Sequence, residues 1–236
     1  AMLSINLTTN KTEAWVKSST ITEKVGNAVA MGGLVKARDD SGIVAVAGAV
    51  GLSSESSIGA AIGYNEIDND ISAYLDDTSY TADGGLTLSA TSDAEIGGVA
   101  IGVAATYGES GKLAGAGSIL INAITNTMDA HIVDSVGADD AAIHLGGDLI
   151  LTATDDSLIV SIAGGVAVSP TGKAAVGAAV SYNLISNRVD AYVEDATLDV
   201  LGATSDIDIA ATSSSTLVSI AMGVGGGSVS FGFGGS

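Results

Sequence analysis

The side chains best suited to chemistry in this 236-residue chain are its carboxylates, which come in clusters: Asp39-Asp40, Asp68 with Asp70, Asp76-Asp77, Asp139-Asp140 and Asp155-Asp156. Calcium takes roughly six to eight oxygen ligands, and turns rich in Asp, Asn and backbone carbonyls supply such oxygens. Calcium is therefore the one cofactor these clusters could hold. No stretch matches an EF-hand loop or the GGxGxDxUx nonapeptide, however, and solvated acids at turns account for the same residues. The sequence assigns no metal ligand, no cofactor-binding residue and no catalytic residue.

The other repeated chemistry is a ring. Trp15, Tyr74, His131 and Tyr192 each follow an alanine, at Ala14, Ala73, Ala130 and Ala191. One ring per recurrence could form a sugar-binding strip, or it could seal the edge of a repeat. His131 and His144 are the only histidines and there is no Cys, so neither a His-rich nor a thiolate metal site can be assembled. Serine is abundant, but no GxSxG elbow is present. The glycine-rich GVGGGSVSFGFGG is not a phosphate loop, since no GxxxxGK[ST] precedes a helical pattern. Carboxylate pairs can cleave glycosides, but here the acids recur as punctuation without one distinguished pair.

Charge narrows the partners. The 27 acidic against 8 basic residues give a net charge of −19, which argues against nucleic acid and against an anionic bilayer surface. Five of the eight basic residues, Lys11, Lys17, Lys24, Lys36 and Arg38, lie near the start, making a weak charge gradient. Apolar runs such as LIVSIAGGVAV from Leu158 are too short for a membrane helix of about 20 residues, so no membrane insertion is expected of this segment.

The elements that must position these residues form a repeat. ARDDSGIVAVAGAV from Ala37 returns as ATSDAEIGGVAIGV from Ala90, ATDDSLIVSIAGGV from Ala153 and ATSSSTLVSIAMGV from Ala211. A second anchor keeps step: AAIGYNEIDNDISAYLDD from Ala60, GSILINAITNTMDAHIVD from Gly117 and AAVSYNLISNRVDAYVED from Ala178, with a weaker copy from Met2. The second anchor's Asn6, Asn65, Asn122 and Asn183 keep the same interval. Two anchors agreeing on a period near 58 residues indicate an array, here a single domain of units spanning about 1–41 (partial), 42–95, 96–158, 159–216 and 217–236 (partial). Both ends fall inside a unit, so the chain reads as a segment of a longer array, with neighbouring repeats as its first partners.

Within a unit every piece is short, rich in Val, Ile, Leu, Thr or Tyr, and bounded by Gly, Asp, Asn or Ser, with no apolar period near 3.6. The fold class expected is all-β, a parallel β-solenoid. Dividing the unit into pieces of about 20 residues, such as 85–105, 106–125 and 126–146, gives three coils per unit. Twelve coils would then stack to about 60 Å, and equivalent residues of successive units would stand about 14 Å apart. Inward positions must then be small or β-branched, with Gly and Asn at corners needing positive φ. The competing division folds each unit as a four-stranded antiparallel meander, for example by reversing at Ser186-Asn187.

At TADGGLTLSATSD, GGDLILTATDD, AGAGSILINAITNTMDAHI and AAVSYNLISNRVDAYVEDA the sequence resembles the repetitive regions of giant bacterial surface proteins, the leukotoxin-type and filamentous-haemagglutinin-type adhesins. The resemblance covers nearly all of the chain and carries over no catalytic residue. It implies a secreted, extracellular, cell-surface β-solenoid stalk whose further partner is a host or neighbouring cell. A calcium- or glycan-binding module and a polysaccharide-active β-helix are the alternatives.

Overall fold

The structure is a computed structural model and describes residues 1–23, 30–107, 112–136, 142–171 and 174–236. Among the described residues the regular elements are strands alone, which fall into two parallel sheets. Sheet II stacks four long strands in the order β11 (Ile207–Gly227), β7 (Leu149–Ser169), β4 (Leu86–Thr106) and β2 (Gly33–Ser53). Sheet I is built on β1 (Met2–Thr22), β3 (Ser56–Ala82) and β5 (Leu113–Val133). It continues through β6 (Ile143–Leu145), β8 (Ala174–Ile185), β9 (Arg188–Glu194), β10 (Leu198–Val200) and β12 (Ser230–Gly235). From β1 to β5 successive strands alternate between the two sheets, so a full circuit returns the chain one layer down. This is a flattened parallel β-solenoid, and the antiparallel meander is excluded because every registered pair is parallel.

The register corrects the coil count. Ile67 lies beside Ile124, Ala90 beside Ala153 and Ala153 beside Ala211, so residues one full unit apart are nearest neighbours. One unit is one coil. The expected piece 85–105 falls, from Leu86 onward, in a single strand of sheet II, β4, while the strand residues described within 113–146 belong to sheet I, in β5 and β6. Strands of 21 residues extend about 70 Å at 3.3 Å per residue, with layers about 4.8 Å apart. The molecule is therefore wide and short along the stack, where three coils per unit would have made it narrow and long.

Alternation along the strands dictates which side chains meet. In β3, Ile67, Asn69, Ile71, Ala73 and Leu75 point between the sheets while Glu66, Asp68, Asp70 and Tyr74 point out. The parity then flips, so that Thr78, Tyr80 and Ala82 are the buried set. The flip is made by Asp77, whose φ of 48° is left-handed, and the same device recurs at Ser18, Asp134 and Asp195. A single left-handed residue inserts a bulge and turns the strand's face, and Asp tolerates that conformation better than most residues. Glycine was expected at such corners, yet none of the described glycines lies in the left-handed region.

The core tapers. At the end bearing Asp83-Gly84-Gly85 it is made of Leu75, Leu86, Leu88, Ile132, Ile143, Leu145, Leu149 and Leu151. Midway it is a band of isoleucines, Ile43, Ile67, Ile96, Ile124 and Ile159. At the end bearing Pro170 only Ala104, Ala114, Ala116, Ala167 and Ala175 remain. There the backbones nearly touch: a Cβ on Gly102 would meet the Gly117 carbonyl oxygen at 2.3 Å. Glycine is needed here for close approach of two sheets, with no special φ involved. The expectation of small or β-branched inward residues holds at this end and in the isoleucine band, and gives way to leucine at the opposite end.

Candidate functional site

The one-coil register turns each sequence recurrence into a continuous column. Asn6, Asn65, Asn122 and Asn183 become a ladder: Asn6 Nδ2 donates to Asn65 Oδ1 (2.8 Å), Asn65 Nδ2 to Asn122 Oδ1 (2.7 Å) and Asn122 Nδ2 to Asn183 Oδ1 (2.7 Å). Asn65 and Asn122 are fully buried. A second inward column, Asn10, Asn69, Asn126 and Asn187, reaches across to sheet II. Asn10 and Asn69 donate to Asp39, Asn126 to Ser92, and Asn187 to Asp155. The spacing of the first column was legible in the sequence. The second was missed, although the same interval separates its members.

The acidic clusters are divided by strand parity. Asp39 and Asp155 point inward and are held by neutral donors. Asp155, fully buried, accepts from Ser157 Oγ (2.8 Å), Asn187 Nδ2 (2.6 Å) and Ser213 Oγ (3.1 Å). Their sequence neighbours Asp40 and Asp156 point out and, with Asp93, form a column of three exposed carboxylates one layer apart. Asp68 and Asp70 face out beside Thr125 and Thr127. Asp76 pairs with Lys17, while Asp77 stands at the bulge with Asp134 and Asp195 in the layers below. A shallow depression of about 290 Å³ there is lined by Ser18, Asp77, Thr78 and Asp134. Asp139-Asp140 lie outside the described residues. The expected separation of about 14 Å between equivalent acids is replaced by the layer spacing of about 4.8 Å. Among the described residues, no three His, Asp or Glu side chains converge on a metal-sized site.

The rings also stand layer on layer. Tyr74 stacks on His131 with centroids 4.8 Å apart and planes 6° from parallel, and His131 on Tyr192 at 5.0 Å and 8°. Trp15 is registered with Tyr74 at the top of the column and is 55% exposed. Continuity was not expected of this column, and it changes the chemistry. Each inner ring covers its neighbour's face, so the column presents ring edges to solvent. Stacking on a sugar requires an open face, and in this column only the end rings, Trp15 and Tyr192, lack a ring neighbour on one side. Burial, then the Asp129 carboxylate, raises the Tyr192 phenol above its ordinary value. His131 Nδ1 sits 2.9 Å from Asp129 Oδ1, two residues away on the same outer face. Of the two histidines, His144 lies in β6, away from this column, beside Asp199 at 3.1 Å.

One surface feature was not anticipated. No residue between Glu95 and Glu109, Asp156 and Lys173, or Lys173 and Arg188 is charged, and none follows Asp208. These runs fold onto the alanine-cored half. Its outer faces carry Val44, Val46 and Val50, then Ile162 and Val166, then Ile220 and Val224 on sheet II, and Ile62, Ile119 and Val180 on sheet I. A shallow apolar groove of about 320 Å³ follows the column Ala60, Gly117 and Ala178 along sheet I. The signal was present as alternation, since both members of each pair are apolar with the larger one outward. Small residues face in because the sheets are too close for anything else. Among the described residues no helix is long and apolar enough to cross a membrane, a statement that concerns helices alone.

Comparison with protein-family models, with curated proteins and with solved structures gave no match.

Proposed function

We propose that this chain is a non-catalytic structural segment of a large secreted bacterial cell-surface protein, its role to build a stiff scaffold by repetition. The observation that carries the reading is the register. Successive units superimpose strand on strand across 20 or 21 residues without a slip in sheet II between β4 and its neighbours, and each adds a layer to both sheets. A repeat of this kind extends by stacking and needs no new interface for each unit. Paired ladders, two inward asparagine columns and glycine-closed sheets supply stiffness. The proposed work is breadth rather than reach, because about 58 residues advance the stack by only about 4.8 Å.

Small-angle scattering of dilute chains carrying two, four and six units tests this. The dimension along the stack should grow by about 5 Å per unit while the width stays near 70 Å. A compact globule, or growth of the long dimension by about 14 Å per unit, sinks the architecture. Surface display is tested separately by labelling intact cells that express the parent protein; a wholly intracellular product removes the localisation.

A second reading is favoured by one observation, the carboxylate columns Asp40, Asp93, Asp156 and Asp77, Asp134, Asp195 at layer spacing. A cation shared along such a column would stabilise the native state alone. A melting temperature that is the same in millimolar calcium and in chelator rules this reading out. The glycan-binding alternative draws less support, since the inner rings offer edges rather than faces.

A further inference from the structure

We propose that this chain dimerises face to face with a second copy of itself through the uncharged half of sheet II, the strands of the two copies running antiparallel. The inference rests on the outer face of that sheet and does not depend on the cell-surface reading.

Strand alternation fills five consecutive outward columns of sheet II with apolar residues alone. Their members in β2 are Val44, Val46, Gly48, Val50 and Leu52, and the register through β4, β7 and β11 meets only Val, Ile, Ala, Gly and Met. Val44, Val46, Val50, Ile162, Ile220 and Val224 are all exposed. Two residues per column and four layers give this face roughly 600 Å². An apolar patch of that size on a monomer marks an interaction site. Two such faces together would bury about 1,200 Å², the lower bound of a specific interface. Coils of the repeat add to the ends of the stack, so a further coil lengthens this face and leaves it uncovered.

The columns themselves select a second copy as the occupant. Those of Val46 and Val50 are valine or isoleucine in every layer, and they stand two residues either side of the central column, Gly48, Ile101, Gly164 and Met222. A half-turn about an axis along the stack, through that central column, lays one ridge on the other. Val46 then meets Val50, Val99 meets Val103, Ile162 meets Val166 and Ile220 meets Val224. Both copies share one layer spacing of about 4.8 Å, so a match made at one layer holds at all four. A surface built on any other interval would fall out of step. Gly48, with nothing within 4 Å of its Cβ position, leaves room at the centre for the flanking side chains.

Charge selects the antiparallel arrangement. Beside the apolar face, toward the strand starts, stands the outward acid column Asp40, Asp93 and Asp156, with Glu95 between. The half-turn carries the partner's acid column to the far side of the interface, roughly 50 Å away, which is several Debye lengths. Parallel strands would instead bring the two acid columns face to face. Charge also argues against a bilayer as the occupant: the five columns hold no aromatic ring, an acid column borders them, and the net charge is −19.

Sedimentation of the full chain across concentration tests the proposal. A monomer–dimer equilibrium is expected, and Ile162→Lys should weaken it at least about tenfold, because the half-turn buries the new charge twice. Ile119→Lys, outward on sheet I, should leave it unchanged. Both positions are exposed, and circular dichroism checks that the variants keep the fold. The chain has no cysteine, so single introduced thiols report the geometry. Ile101→Cys, on the axis, should be joined to its own counterpart by a bismaleimide of about 10 Å, the separation of packed sheets. Thr91→Cys, further back along β4, should not be joined, its counterpart lying about 65 Å away. A monomer at all concentrations overturns the proposal. So does association that Ile162→Lys leaves unchanged, which places the contact on a stack edge or on sheet I. Linkage at Thr91→Cys overturns it too, since that requires parallel strands.

Discussion

Replacing Asn122 by alanine should be among the most costly single changes that leave every strand in place. Its amide is fully buried, accepts from Asn65 at 2.7 Å and donates to Asn183 at 2.7 Å. Truncation removes two hydrogen bonds, each worth about 1 kcal/mol net, and strands the fully buried Asn65 donor, at a further cost of roughly 1–3 kcal/mol. Asn183 is half-buried and can turn to solvent. The expected loss is about 3–5 kcal/mol. Asn6→Ala, at the exposed end of the same ladder, should cost about 1 kcal/mol because one rung is lost and its neighbour keeps another. Converting all four ladder residues to leucine should cost much less than the sum of the single changes, since no polar partner is then left unmet. Urea unfolding of the four variants, read by circular dichroism with slopes compared, measures these differences. Equal costs for Asn6→Ala and Asn122→Ala, or strict additivity across the ladder, would refute the stacked geometry. With equivalent residues about 14 Å apart, no such coupling could exist.

Three further outcomes follow from the same geometry. Gly102→Ala should lower the melting temperature strongly, because its Cβ would lie 2.3 Å from the Gly117 carbonyl oxygen and force the sheets apart. Gly48→Ala, with nothing within 4 Å, should be nearly neutral in the same melt. Asp155→Asn should destabilise by about 2 kcal/mol by turning an acceptor-only group partly into a donor among the Asn187, Ser157 and Ser213 donors, measured by urea titration. Stability should fall as the solution becomes alkaline. Burial raises the Tyr80 and Tyr192 phenols above 10.0, so the folded state holds these protons more tightly than the unfolded chain. That contribution is complete below the unfolded pKa and lost as pH rises through the folded one. Melting temperatures of Tyr80→Phe and Tyr192→Phe should show a shallower alkaline decline.

The all-β parallel solenoid was legible from short Val, Ile and Thr runs, from turn residues and from the recurrence of whole phrases. The size of the coil was not. Twenty residues and 58 residues are both consistent with the same alternation, because Gly97-Gly98 and Gly164-Gly165 look like corners in a sequence and are straight strand in the structure. Whether a glycine bends the chain or admits a neighbouring backbone depends on what lies opposite, and that is set by the partner sheet. The acidic clusters show the same limit. Asp39 and Asp40 are adjacent letters of one type, yet one is inside among amides and the other is in water.

The sequence by itself determined the composition of each layer: strand-forming stretches, an interval near 58 residues, and the recurrence of Asn, Asp and aromatic residues at that interval. The tertiary structure decided what the interval means. Because one unit makes one circuit, hydrogen bonding across layers brings residues 53 to 63 positions apart into contact, and recurrences become ladders, stacks and charge columns. A period in sequence states how often a residue returns. Only the closed circuit of two sheets, whose separation is set by the side chains between them, fixes how far apart in space it returns.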